Sequence, residues 1–325
     1  MRLTVAARNG AAVDELIRTC RLRASVSGNP IEIADELSDS ELRLISRLEP
    51  DVVVCAASTQ SPYEKLTRRS GWTDLIAQAG FGVTLPFQAA IALRLARAIA
   101  SVHPATLLIN ACFPDAVNPL IAALGLPVHC GIGNVATVAA ALQTALGRLD
   151  QRDLAVLGHH VHLAEPADPA EDVLAWQGGV SLTGVPALLA PYRALPRLEL
   201  NAIAGHAAAR LLVDLLSGKE IRTNLPGPLG LPGGYPVRLA GSRITLNLPA
   251  EVSRADAVDW NLRAGRRDGV EVADGRVGYP SWAAAVLEEF LPEYAGGWPV
   301  TALDAASVAF STLRQQLRQT QPVSV

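Results

Sequence analysis

The sequence predicts an α/β fold: a Rossmann-like doubly wound parallel sheet followed by an α+β part. Three observations carry this expectation. Short apolar runs alternate with helix-length stretches through the first half of the chain, the signature of strand–helix–strand units. The run Asp51–Ala57 (DVVVCAA) is continuously apolar, as suits a strand covered on both faces of a parallel sheet. After Leu163 the texture changes to proline-rich segments, a long helix and a hairpin pattern.

Taken in order, Arg2–Ala7 is a strand candidate closed by Asn9 and Gly10. Ala11–Cys20 follows as a helix with Val13, Leu16 and Ile17 on one face. Ile31–Ile33 is a second strand. Ser40–Leu48 is a helix that Asp39 or Ser40 can cap. Asp51–Ala57 is the third strand, and Ser58–Ser70, polar and holding Pro62, is a loop. A short helix over Thr73–Ala79 and a strong one over Pro86–Val102 precede the fourth strand, Ala105–Asn110. Leu120–Leu124 is helical, Val128–Ile132 a fifth strand, Val135–Leu146 a helix and Asp153–Leu157 a sixth strand. Beyond it, Glu165–Asp172 is an acidic, proline-rich linker or surface loop, and Gly178–Pro196 an ordered loop over a site. Leu200–Ser217 is a long helix. Tyr235–Ala240 and Ser242–Leu248 form a hairpin about Gly241–Ser242, after an extended Ile221–Leu225. Helices over Arg254–Leu262, Ser281–Tyr294 and Ala302–Gln319 end the chain. The natural domain cut gives residues 1–163 and 164–325.

Bulk properties narrow the function classes. Half of the 325 residues are hydrophobic and 18% are charged, enough for a sizeable core. A formal net charge of -3 points to neither a nucleic-acid nor a membrane partner. The four cysteines, Cys20, Cys55, Cys112 and Cys130, form no CxxC pair, which argues against a zinc knuckle; buried reduced thiols suit the cytoplasm. Arg2 and Arg8 break the N-terminal apolar run, so no signal peptide is expected. Arg94, Arg97, His103 and Pro104 make Ala89–Asn110 a buried helix and strand rather than a membrane span.

Chemistry is concentrated in Ala155–Leu163 (AVLGHHVHL), where an apolar strand stops at Gly158 and delivers His159, His160 and His162, half of the chain's six histidines. Open α/β sheets bind ligands outside the carboxyl ends of their strands. Histidine titrates near neutral pH and serves as a general acid or base. On strand pleating, His160 and His162 share a side, which opens a metal reading with Cys130; no metal is assigned.

This order of features resembles the lactate/malate dehydrogenase superfamily. The strand Asp51–Cys55 runs into the small residues Ala56, Ala57 and Ser58, like the family's cofactor turn. Ser58–Val102 matches its mobile substrate loop and long helix. Asn110-Ala111-Cys112-Phe113-Pro114-Asp115 matches its Asn-containing turn, and Gly131-Ile132-Gly133-Asn134 its Gly-rich strand end opening a helix. Leu157-Gly158-His159-His160 fits its Leu-Gly-x-His, and Gly234–Leu248 its C-terminal hairpin. The resemblance implies a Rossmann-like dinucleotide-binding domain, N-terminally shortened, over residues 1–163, and an α+β substrate and dimerisation domain over 164–325. It further implies a homodimer.

Three departures accompany it. The GxGxxG turn that seats the pyrophosphate is absent, and the chain reads as starting at the family's second strand. Asn134 stands where the family has the aspartate partner of the histidine. No basic residue lies between Gly131 and Gly147, so the family's arginine clamp, expected near Thr137, is missing; Arg68 and Arg69 in the substrate-loop segment are the replacements on offer.

The resulting expectation is an NAD(P)-dependent oxidoreductase acting on a small carbonyl or alcohol. His160 would be the acid/base and Asn134 its orienting partner. Asn110, Glu199, Asn201 and His162 would contact substrate, and His206 lies on the same helix. Ala56, Ala57, Ser58 and Arg8 would contact the cofactor, Arg8 suiting the 2′-phosphate of NADP over NAD. Two alternatives stand beside it: a degenerate binding or partner subunit, and a cofactor-independent isomerase or hydrolase using the same crevice.

Overall fold

The structure is a computed structural model that describes residues 2–7, 10–28, 31–36 and 40–320. Arg8 lies outside the described residues. The chain forms two compact units, residues 1–50 with 98–106, and residues 51–97 with 107–325. The expected cut at residue 163 falls inside the second.

In the first unit, β1 (Arg2–Ala6) and β2 (Glu32–Glu36) pair in parallel with Leu3 opposite Ile33, linked by α1 (Gly10–Val26). Val13 and Ile17, one helical turn apart, pack on Ile33. The helix runs past the expected Cys20 because Arg21 donates to the Ile33 carbonyl at 2.6 Å, tying the next turn to β2. Ser40 caps α2 (Glu41–Leu48) by accepting from the Arg43 N–H. The Thr106 hydroxyl closes the unit by donating to the Pro50 carbonyl at 2.6 Å.

The second unit carries the parallel sheet β3 (Val52–Cys55), β4 (Leu107–Asn110) and β5 (Cys130–Gly131), in that order. Three helices precede β4: α3 (Glu64–Thr67), α4 (Gly71–Ala79) and α5 (Leu85–Val102). The first lies in the segment expected to be all loop. Its Glu64 is buried and paired with Arg314 and Arg318. β3 is not covered on both faces as expected: it is the sheet's edge strand, and Val54 is exposed. The stretch Phe81–Val102 is long and apolar enough to cross a membrane, but 72% of its apolar window is buried inside the protein.

Between β4 and β5 lies α6 (Pro114–Ala123), which starts well before the expected Leu120 because Pro114 presets its first turn. α7 (Val135–Ala145) follows β5. The next strand, β6 (Leu154–Leu157), does not extend the parallel sheet. It pairs antiparallel with β7 (Leu174–Gln177), which pairs with β8 (Val180–Ser181). The Asn224 amide serves its backbone as well, accepting from Val156 N–H at 2.8 Å and donating to Leu154 carbonyl at 3.1 Å.

The expected Gly/Pro loop over 178–196 instead contains α8 (Val185–Arg193), opened by Pro186 in its first turn. Then come α9 (Arg197–Leu216) and the antiparallel sheet of β9 (Glu220–Pro226), β10 (Gly234–Ala240) and β11 (Arg243–Leu246), with the expected turn at Gly241–Ser242. α10 (Arg254–Arg267) leads to a hairpin absent from the sequence expectation, β12 (Glu271–Ala273) and β13 (Arg276–Gly278). α11 (Ser281–Glu288), α12 (Pro292–Ala295), β14 (Trp298–Pro299) and α13 (Leu303–Leu317) complete the chain. The expected class is the one observed: mixed α/β with parallel sheets. One apolar core joins Ile109 and Cys130 of the parallel strands to Tyr235, Val237 and Leu239 of β10 and to Leu211 and Leu215 of α9.

Candidate active site

The loops leaving β4, β5 and β6 meet at Asp115, Asn134 and His160. The turn after β6 is not extended strand. His159 caps a 3-10 turn, His160–Leu163, through a 2.8 Å bond from its own N–H to the His162 Nδ1. Period-2 pleating therefore does not apply, and the histidines diverge.

His160 faces a carboxylate. Its Nδ1 lies 2.7 Å from Asp268 Oδ2, and its N–H donates to Asp115 Oδ1 at 3.1 Å. The ring stacks on Phe81, centroids 4.9 Å apart, and meets Phe113 edge-on at 5.4 Å. Its side chain is 26% exposed. Burial opposes its protonation, but the charge and hydrogen bond of Asp268, with the charge of Asp115, more than offset this and hold the pKa above its ordinary value; Arg197, the first residue of α9, acts the other way. Burial likewise opposes ionisation of Asp268, yet its bond to His160 keeps the carboxyl below the usual range. An Nδ1–H held by a carboxylate leaves Nε2 for a reactant, and stabilises the imidazolium when it forms.

Asp268 comes from the C-terminal end of α10. That helix turns one face to the histidines. Trp260 stacks on His162, Asn261 donates to the Gly234 carbonyl at 3.2 Å, and Gly265 passes beside His159. A Cβ on Gly265 would sit 2.8 Å from the Val270 carbonyl oxygen and 3.4 Å from His159 Nε2. Phe81 reaches His160 through a close approach of Gly80 and Gly269, both at positive φ, where a Cβ on Gly80 would lie 2.7 Å from the Asp268 carbonyl. The Gly82 N–H donates to that same carbonyl at 2.8 Å.

His162 has the opposite environment. It is fully buried, accepts from the His159 N–H at Nδ1 and donates from Nε2 to the Glu171 carbonyl at 3.0 Å. Burial pushes its pKa down to about 3, so the ring is neutral. His159, also buried, is lowered for the same first reason. Arg193 locks the turn from outside, bonding the His162 carbonyl and pairing with buried Asp172. Among the described residues no group of three His, Cys, Asp or Glu side chains is placed to hold a metal.

Asn134 donates its amide to Asp115 Oδ2 rather than meeting the His160 ring; Asp268 occupies Nδ1. Asn110 is fully buried and committed to the protein. Its amide donates to the Cys112 carbonyl and Asn118 Oδ1, and its oxygen accepts the Cys112 N–H. Asn201 is exposed and bonds the Tyr63 hydroxyl; Glu199 and His206 are exposed on the same helix. Ala56 and Ala57 are exposed beyond β3, and Ser58 donates to the Gln60 carbonyl at 2.6 Å. Arg68 donates to the Arg318 carbonyl. Two surface clefts of about 370 and 450 Å³ lie elsewhere, one between α5 and α13, one along β11.

Two non-glycine residues of the site have left-handed φ: Phe113 (48°) and Asn134 (46°, with ψ -111°). Each such residue costs about 1–3 kcal/mol and persists only where its surroundings impose it.

No known protein family matches this sequence, and no curated protein does. Among solved structures, the chain is similar to malate dehydrogenase from Aeropyrum pernix, at 14% identity over 82% of this chain and 89% of that one, TM-score 0.49. It is similar to malate dehydrogenase from Salinibacter ruber, at 12% identity over 81% and 86%, TM-score 0.49. A lactate dehydrogenase from Cryptosporidium parvum, solved with lactic acid and nicotinamide adenine dinucleotide, matches at 14% identity over 80% and 86%, TM-score 0.46. Likeness at this level concerns the fold alone, and the chemistry of the site is carried by its own geometry.

Proposed function

We propose that the chain is an acid–base enzyme of dehydrogenase type acting on a small carbonyl or alcohol, with His160 as the general acid/base. The observation that carries this is the Nδ1 contact with Asp268 at 2.7 Å, which leaves Nε2 of a partly exposed ring uncommitted. Asp268 takes the orienting role that the sequence assigned to Asn134. In reduction, protonated His160 gives its Nε2 proton to the substrate oxygen; in oxidation, the neutral ring removes it. Phe81 and Phe113 shield two sides of the ring from water.

NADP or NAD is the proposed redox partner, and a bound nicotinamide would supply or accept the hydride. The residues present fit it at one end. Ala56 and Ala57 leave the backbone beyond β3 open to a flat ring. The GxGxxG turn that seats the pyrophosphate is absent from the sequence, and Arg8 stands as a 2′-phosphate contact on sequence alone. That absence favours the second reading, a cofactor-independent enzyme or partner subunit in the same crevice. We further propose a cytoplasmic homo-oligomer, most simply a homodimer, without nucleic-acid or membrane partners.

Titrating the purified chain with NADPH and NADH, while following nicotinamide fluorescence, separates the two readings. Saturable enhancement supports the dehydrogenase; an unchanged spectrum at millimolar cofactor sinks it and leaves the second.

A further inference from the structure

Asp115 does more than approach His160. It is nearly solvent-free and sits where four loops meet. Oδ1 accepts the His160 N–H, Oδ2 accepts the Asn134 amide, and its own carbonyl accepts the Gly233 N–H at 3.1 Å. Its partners thus come from the segments after β5, after β6 and between β9 and β10, while Asp115 belongs to the first turn of α6. Both non-glycine positions with left-handed φ in the site, Phe113 and Asn134, flank this junction. The hub also anchors the peptide on which the His160 ring hangs, opposite the side held by Asp268.

We propose that Asp115 is the positioning residue of the site, and that the donor–acceptor pair it forms with Asn134 sets both the placement and the protonation of His160. This rests on His160 being the acid/base, but its test needs no substrate. The charged groups facing the ring are Asp268 on α10, Asp115 on α6 and Arg197 on α9, with the His159 ring next to it in the chain. Of these, Asp115 alone bonds the His160 backbone.

Asymmetry of the carboxamide gives a sharp test. In Asp115→Asn, one orientation sets an NH₂ against the Asn134 NH₂ and the other sets it against the His160 N–H, so one hydrogen bond fails either way. Asn134→Asp alone puts two carboxylates face to face. The double variant Asp115→Asn/Asn134→Asp reverses the pair and restores a donor opposite an acceptor.

The experiment is an NMR titration of the His160 ring in the full chain, with thermal unfolding as a second readout. The native ring is expected to titrate above about 6.5, and in Asp115→Asn the midpoint should fall by roughly half to one pH unit. The double variant should recover most of that fall and unfold at a higher temperature than either single variant. An unshifted midpoint in Asp115→Asn overturns the proposal. So does a double variant no better than the worse single one. If Asp115→Asn does not fold, the double variant decides: folding with a near-native midpoint supports the pairing, and failure of both overturns it. Loss of cofactor binding in the earlier experiment would leave this result untouched, which keeps the two failures distinct.

Discussion

His160 and His162 lie two residues apart on one turn and have opposite fates. His160 keeps a partly exposed ring against Asp268 and is biased toward the imidazolium. His162 is sealed between Trp260 and two backbone groups and stays neutral down to about pH 3. Residue type and spacing are the same for both. The difference lies in what α10 brings to each: an aspartate at its C-terminal end for one, a tryptophan two turns earlier for the other. One ring is thereby fitted to exchange protons and the other to hold the turn that presents it.

The largest expected effect tests the functional side. His160→Ala should lower whatever turnover is found by about 10²–10⁴-fold, the usual contribution of a positioned acid/base; it also leaves buried Asp268 without its cation, so urea unfolding should show a loss of stability as well. Turnover that survives the substitution would end the contrast. The structural side should show in stability. His162→Ala removes a buried ring and orphans the His159 N–H and the Glu171 carbonyl, so a loss of about 3–5 kcal/mol in urea unfolding is expected. Gly265→Ala tests the scaffold common to both histidines. Its Cβ meets the Val270 carbonyl oxygen and approaches His159, neither of them a flexible side-chain end, and a loss of about 1–3 kcal/mol should appear in the same measurement.

How much of this was legible in the sequence follows from the range of the forces involved. The strands, the main helices and the strand-end histidine stretch are local patterns, and they stand near where they were expected. The Asp274–Gly275 hairpin, absent from the expectation, is equally local: a DG pair between apolar runs is a strong turn signal, and both residues adopt left-handed φ. Asp268 is a different case. It is 108 residues from His160, and no periodicity links them. One clue existed: an aspartate closing a helix C-terminus, just after Arg266 and Arg267, opposes the helix dipole. A buried anion in that unfavourable place needs a compensating cation, and His160 is that cation. Asn134 misled because motif position suggested the histidine as its partner, whereas its left-handed backbone and the Asp115 carboxylate direct its amide elsewhere.

The smallest expected effect is the most specific to the contrast, because the two histidines must bend the stability–pH curve at opposite ends. For His162 the folded pKa, about 3, lies below the unfolded value near 6.5. The unfolded chain therefore binds the proton first as pH falls, and the stability this ring contributes is present above about 6.5 and lost on the way to 3. The slope is at most about 1.4 kcal/mol per pH unit. For His160 the folded pKa is raised, so its contribution is complete below about 6.5 and disappears as pH rises through the folded value. His162→Gln should flatten the acid limb between pH 6.5 and 4, whatever it does to absolute stability. His160→Gln should leave that limb in place and flatten the limb above about 6.5. Urea midpoints measured at half-unit steps of pH read both slopes. If the two variants flatten the same limb, the rings titrate alike and α10 does not set them apart.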